Sequence, residues 1–288
     1  METITNGSFH ITLPSNVESR KNNSQSKYIT DLAAKIRLDG LYSVGMTEIS
    51  FTKSWYTLAE GEWIALHTNN QSFQIGLIFP VQKADFKDID ELLSYLNVLI
   101  EKKSQQLMKK MIPPKLVTYN RLKKVVLLVG HLLEPNLSYP VYVYPNFSEN
   151  LRNILGFNEK YMENTIPRKH IQEKLLDFDL SHLTEHSAIS IAKYAFEISG
   201  GYHSLYVYTD IIRPNIVGDS ISPLLRVVEI PNKSRFGDQI VLKYDKPTYN
   251  MVISDEFESI EIEVRDDAGK LVPLEFGRTI VTLHFIKL

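Results

Sequence analysis

The chain of 288 residues contains no cysteine. Structural disulfides, thiolate metal sites and a cysteine nucleophile are excluded, and the absence fits a reducing compartment. Charge of neither sign is in excess: 32 Lys and Arg against 34 Asp and Glu leave a formal charge of −2. That balance argues against bulk electrostatic binding of nucleic acid, which needs a strongly cationic face. No run of about 18 apolar residues occurs, so no helical membrane span is expected. Residues 1–27 are polar and lack an apolar leader segment, so no signal peptide is expected. Tryptophan is scarce, with two residues, whereas tyrosine (15) and phenylalanine (13) are plentiful. Such aromatics suit sheets, where they pack across strands.

What is present is ordinary in amount, with 43% hydrophobic and 23% charged residues. A core can form without disulfides or metal, as one large β domain or two small ones. The clearest pattern is near the end. Residues 259–265 (SIEIEVR) put Ile260, Ile262 and Val264 on one face and Glu261, Glu263 and Arg265 on the other. The Asp266-Asp267-Ala268-Gly269 turn follows, then 278–286 (RTIVTLHFI) with Val281, Leu283 and Phe285 on one face. Strict alternation bounded by turn residues predicts half-buried antiparallel strands.

Further short strands are expected at 9–13, 42–51, 54–58, 63–67, 72–79, 116–119, 124–130, 141–144, 204–212, 224–230, 239–244 and 249–253. In 42–51, Val44, Met46 and Ile49 are core candidates. Residues 14–27 read as an exposed loop. One long helix interrupts, over about 88–111. Asp88 with Glu91 resembles a capping box, and Ile89, Leu92, Leu93, Leu96, Leu99, Ile100, Leu107 and Met111 recur at helical spacing. Pro113-Pro114 stops it. Residues 148–155 suggest a short helix closed by Gly156. Residues 158–186 are weakly patterned and read as an irregular excursion with a helical turn near 170–176, and 188–198 fits either strand or helix. About a dozen short strands and one helix predict a mainly β protein, a jelly-roll β-sandwich with a helical insertion (about 88–111) and that excursion (about 158–186). The chain reads as one β-rich unit over 1–288. The alternative is two β subdomains, about 1–145 and 146–288, joined around the helical insertion.

Candidate chemistry is thin. His182-Leu183-Thr184-Glu185-His186 matches the H-x-x-E-H pattern of one zinc-peptidase class. Its flanks are those of a polar surface segment, and only Glu197 lies near as a third ligand. Gly200-Gly201 and the 266–269 turn lack the context of phosphate loops. The acids Asp255, Glu256, Glu258, Glu261 and Glu263 read as a solvated or partner-facing surface rather than a glycosidase pair. Lys102, Lys103, Lys109, Lys110, Arg121, Lys123 and Lys124 read as a solvated face, because only Tyr119 lies near to stack a base. The residues therefore predict no catalytic set, no metal and no cofactor.

Three blocks carry a family resemblance. In 38–58 (LDGLYSVGMTEISFTKSWYTL) the matching residues are Leu38, Gly40, Tyr42, Val44, Gly45, Glu48, Ile49, Ser54, Trp55 and Tyr56. The second is 204–228 (SLYVYTDIIRPNIVGDSISPLLRVV). In the third, 257–285, the match rests on Ile260, Glu261, Ile262, Arg265, Asp266, Asp267, Gly269, Phe276, Gly277, Val281, Leu283, His284 and Phe285. Leu155-Gly156-Phe157 fits as well. In this order the blocks resemble the penton-type minor capsid proteins of Polinton/Maverick elements and their adintovirus relatives. Departures are Thr209, where the family often has Cys, Leu41-Tyr42 in place of an acidic-Trp pair, and 158–186, which aligns to nothing.

The resemblance implies a single-jelly-roll penton subunit, a homopentamer at the vertices of an icosahedral shell. Its partner would be a double-jelly-roll major capsid protein. It implies no enzyme activity, no cofactor and no direct nucleic-acid binding, and a place in the virion after assembly in the host nucleus or cytoplasm. Candidate assembly or framework positions are Trp55, Tyr56, Arg213, Asp219, Arg226, Arg265 and Asp266. Trp55 and Tyr56 also read as core packing. The N-terminal segment, the 158–186 excursion and the helix are further candidate contacts. Alternatives are an outward-facing receptor- or glycan-binding β module, a host-domesticated copy of such a gene, and a hydrolase built on His182 and His186.

Overall fold

A computed structural model of the chain describes residues 2–5, 7–16, 22–68, 77–107, 111–132, 141–167, 187–231 and 234–288. They form two compact units. The first joins Met1–Trp55 to Tyr202–Leu288, and the second is the continuous stretch Tyr56–Gly201. The division falls elsewhere than the expected position near 145, which would cut the single strand Tyr142–Phe147. The chain is mainly β, and the long helix belongs to the second unit, where it shares a core with a sheet of its own.

The first unit has eight principal strands in chain order: Phe9–Pro14, Lys27–Leu38, Tyr42–Thr52, Ser204–Thr209, Leu224–Glu229, Gln239–Lys243, Glu256–Arg265 and Ile280–Lys287. One sheet runs second, seventh, fourth, fifth, with the short strand Glu2–Thr5 added parallel to the second. The other runs first, eighth, third, sixth, with Asn250–Met251 also beside the third. All pairs among the eight are antiparallel. Two four-stranded sheets in this order are a jelly roll. The two closing strands do not pair with each other; each lies between neighbours in a different sheet.

Their alternation explains the core. Ile260, Ile262 and Val264 from one sheet and Val281, Leu283 and Phe285 from the other are all buried in one cluster. The third strand contains a slip: Thr282 pairs with Glu48 but Leu283 pairs with Met46, leaving Thr47 as an extra residue. This bulge resets the period, so Val44 and Met46 face inward before it and Ile49 and Phe51 after it. The Thr47 carbonyl accepts the Tyr244 N–H at 2.8 Å, and its hydroxyl donates to the Thr282 carbonyl at 3.2 Å. Gly277 sits at φ +90°, where a Cβ would lie 2.1 Å from Thr52 Oγ1. Only glycine fits that turn.

The second unit is organised around Lys124–Leu132. This strand pairs with Lys115–Tyr119, Ala188–Ile191, Tyr142–Phe147 and Met111–Ile112, and the sheet continues to Trp63–Thr68 and Leu77–Pro80. Val125, Leu127 and Val129 enter the main core, whereas Val126 joins Tyr119 and Ile189 on the opposite face. The helix Ile89–Leu107 buries Ile89, Leu92, Leu93, Leu96 and Ile100 in the main core. Its start is capped as expected. Asp88 Oδ1 accepts the Glu91 N–H at 3.0 Å, and Glu91 Oε2 accepts the Lys87 N–H at 2.7 Å.

The helix ends earlier than 111. Met111–Ile112 is a strand paired with Leu132 and His131, because a residue preceding proline avoids the helical region. The strand expected at 54–58 is also absent. Ser54 Oγ donates to the Phe276 carbonyl at 3.0 Å and Thr57 Oγ1 to the Ile198 carbonyl at 3.1 Å. Side-chain bonding of this kind competes with a ladder, and Leu58 alone makes a bridge, to Ala84. Asn250–Met251 is shorter than the expected strand at 249–253.

The short helix is Glu149–Ile154. Buried Glu62 ties down its start, accepting from the Leu151 backbone N–H at 3.2 Å, from the Asn150 side-chain Nδ2 at 2.9 Å and from the Ser148 hydroxyl. Gly156 follows at φ +77°, and a Cβ there would lie 2.4 Å from the Tyr194 carbonyl. The stretch 188–198 resolves into the strand Ala188–Ile191 and an irregular run. The excursion is anchored at its start: Tyr161 is buried and donates to the Pro145 carbonyl, and Ile166–Pro167 pairs with Ile189 and Ala188. The remainder of it, including the turn near 170–176, lies outside the described residues.

Candidate assembly surface

A sandwich of two sheets leaves edges, and edges present unpaired backbone groups to a neighbour. In the jelly roll the fifth strand, Leu224–Glu229, ends one sheet and the sixth, Gln239–Lys243, ends the other. Between them lies a cleft of about 560 Å³ lined by Arg226, Val227, Glu229, Ile230, Pro231, Leu242 and Tyr244. The Arg226 guanidinium lies over the Tyr244 ring, its Cζ 3.5 Å from the centroid. Its Nε and Nη1 are buried and have no hydrogen-bond partner among the described residues. Burial pushes the Tyr244 hydroxyl pKa up, and the neighbouring Arg226 charge tempers the rise.

Arg213 and Asp219 belong to a second exposed feature. After the fourth strand, Asn215–Val217 and Ser220–Ser222 form a two-stranded hairpin around Gly218-Asp219. Ile216 pairs with Ile221, so both side chains stand on one face of the ribbon. They are 84% and 74% exposed. Arg213 and Asp219 are exposed beside them.

The other expected positions are structural by placement. Trp55 is 1% exposed, stacked on Phe51 and tilted against Tyr202, within the jelly-roll core. Tyr56 is half-buried in the second unit, with Lys83 Nζ 4.6 Å from its ring centroid. Arg265 donates from Nε to Glu263 Oε2 at 2.7 Å and from Nη1 to the Gly269 carbonyl at 2.5 Å. Asp266 Oδ1 accepts the Lys270 N–H at 2.8 Å. These bonds pin the turn that leaves the seventh strand, so Arg265 and Asp266 shape the frame. The hairpin and the cleft draw in Arg213, Asp219 and Arg226 from the expected set.

The acidic face of the seventh strand is compensated across the sheet. Lys27 Nζ lies 2.5 Å from Glu263 and 3.3 Å from Glu261. Burial works to raise the Glu263 carboxyl, but bonds from Lys27 and Arg265 outweigh it and hold the pKa below the usual range. On the outer face of the other sheet His10 stacks on His284 at 4.3 Å, and Tyr249 OH lies 2.8 Å from His284 Nδ1. Burial, with His10 second, lowers the His284 pKa.

Among the described residues no group of three or more His, Asp or Glu is arranged to hold a metal ion. His182, Glu185 and His186 lie outside the described residues, as do Lys109 and Lys110. Glu197 is occupied, accepting the Ser199 N–H at 2.6 Å. Tyr119 is buried, so it offers no ring to a base beside Arg121 and Lys123. No described helix is long and apolar enough to cross a membrane.

Ile216, Ile221 and Tyr244 were not singled out by sequence. For the two isoleucines a signal existed, since Gly-Asp between short apolar runs is a two-residue hairpin signature. For Tyr244 there was none, because the cleft joins strands from two sheets.

No protein-family model matches the chain, and no curated protein matches it. Among solved structures it is similar to the selenomethionine-labelled mavirus penton protein, with a TM-score of 0.49 and 10% identity over 97% of this chain and 100% of that one.

Proposed function

We propose that this chain is a structural vertex subunit, a penton, of the icosahedral shell of a Polinton/Maverick-like virus or integrated element. Five copies form a ring beside a double-jelly-roll major capsid protein, and the chain works by shape rather than by catalysis. The supporting observation is where the resembling blocks fall. Residues 38–58 contain the third strand, 204–228 the fourth and most of the fifth, and 257–285 most of the seventh and eighth. The resemblance therefore follows the frame of a jelly roll, an architecture that capsid proteins use. Unmatched 158–186 falls in the inserted unit. A rigid wedge with exposed edges suits ring contacts that close on themselves.

The test is co-expression with the major capsid protein of the same element, followed by density-gradient purification of shells. The chain is expected to sediment with intact shells at a fixed ratio. Shells that form and sediment without it overturn the proposal.

A further inference from the structure

The cleft and the hairpin each carry an unmet requirement. Two buried, unpartnered donors on a half-buried guanidinium are costly, because their lost hydration is not replaced. Nε and Nη1 of Arg226 meet no acceptor among the described residues. The hairpin has the opposite deficit. It is a two-stranded ribbon, marginal alone, and it holds two isoleucines in solvent while the Asp219 carboxylate makes no bond among the described residues. The cleft offers apolar walls at Val227, Ile230 and Leu242 around that positive charge.

We propose that the hairpin of one copy seats in the cleft of the next. Asp219 at the tip takes the Arg226 guanidinium, and Ile216 and Ile221 pack on Val227, Ile230 and Leu242. The charges are complementary at a second place, since Glu229 lines the cleft and Arg213 stands at the stem of the hairpin. Hairpin and cleft are different surfaces, so the contact is heterologous and propagates from copy to copy until a ring closes. The carboxylate approaching the flat guanidinium forms a charge-assisted pair. The inference rests on the reading of the chain as an assembling subunit and specifies the contact that assembly uses.

The absence of cysteine makes the test clean. The double variant D219C/R226C carries two thiols, one on each partner surface. Under mild oxidation a non-reducing gel should show a ladder of linked chains, formed at least about tenfold faster than with the control pair D219C/E258C. The ladder should not form when the oxidation is carried out in denaturant, and reductant should collapse it. If R226C does not fold, Val227→Cys on the same cleft wall replaces it. In parallel, D219R and R226D should each weaken assembly, and the combined swap should restore it. A ladder no faster than the control overturns the contact. If the unmodified chain still enters shells in that case, the vertex role survives and this interface does not; if it enters none, both fall.

Discussion

The jelly roll and the inserted unit are both β-rich, yet they bury their strands differently. In the seventh and eighth strands one face is packed and the other is wet or half-wet, so buried and exposed positions alternate. In Lys124–Leu132 the pattern is nearly continuous burial, because one face meets the helix-covered core and the other a second small cluster. The first unit is fixed by register, since a slip of one residue would turn its core outward. The second depends more on particular polar anchors. Glu62 serves the start of Glu149–Ile154, and Asn97 pairs with both backbone groups of Leu116, each at 2.8 Å.

The two tryptophans report the units separately, Trp55 in the jelly roll and Trp63 in the insertion. The largest effect is expected from Trp55→Ala, about 3–5 kcal/mol for a large aromatic removed from a packed core. Denaturant titration followed by circular dichroism should show the loss while the Trp63 emission midpoint stays in place. Equal shifts in both signals would break the comparison. Next comes Gly277→Ala, expected to cost about 2–3 kcal/mol through the contact with Thr52 and the positive φ. The Trp55 signal should move.

Asn97→Ala strands two backbone groups of Leu116 and should cost about 1–3 kcal/mol, read by Trp63 rather than Trp55. A wild-type midpoint would show that packing alone holds the helix to that strand.

The smallest effects concern pH. The folded state binds a proton at His284 less readily than the unfolded chain, so its contribution is full above about pH 6.5 and is lost as pH falls through that value toward the lowered folded pKa. His10→Ala should flatten that slope in a melting-temperature profile. Glu263 likewise has a lowered folded pKa, so its contribution is present above about pH 4.5 and is lost as pH falls through the folded value. Lys27→Ala should reduce this acid limb. Unchanged slopes in both variants would remove these groups from the account.

Much of the jelly roll was legible because alternation is a local signal. Ile260, Ile262, Val264, Val281, Leu283 and Phe285 announce their faces, and Asp88 with Glu91 announces the helix start. Pairing was not legible: nothing in 259–286 says that the two closing strands part into opposite sheets. The Thr47 bulge was visible only as an Ile49 out of phase with Val44 and Met46, a defect whose cause lies across the sheet at Thr282 and Leu283. The inserted unit was harder, since strands covered on both faces lose their period. For the candidate surface, the blocks pointed to Arg213, Asp219 and Arg226, but they also pointed to Trp55, which the core absorbs. Conspicuous residue types do not separate the buried frame from the exposed surface; exposure does.

Electron cryomicroscopy of shells formed on co-expressing this chain with the major capsid protein proposed as its partner tests the central claim most directly. The account predicts fivefold vertices filled by this chain, each copy presenting the two four-stranded sheets described above. Vertices built wholly from another protein, in particles formed with this chain abundant in solution, would contradict it.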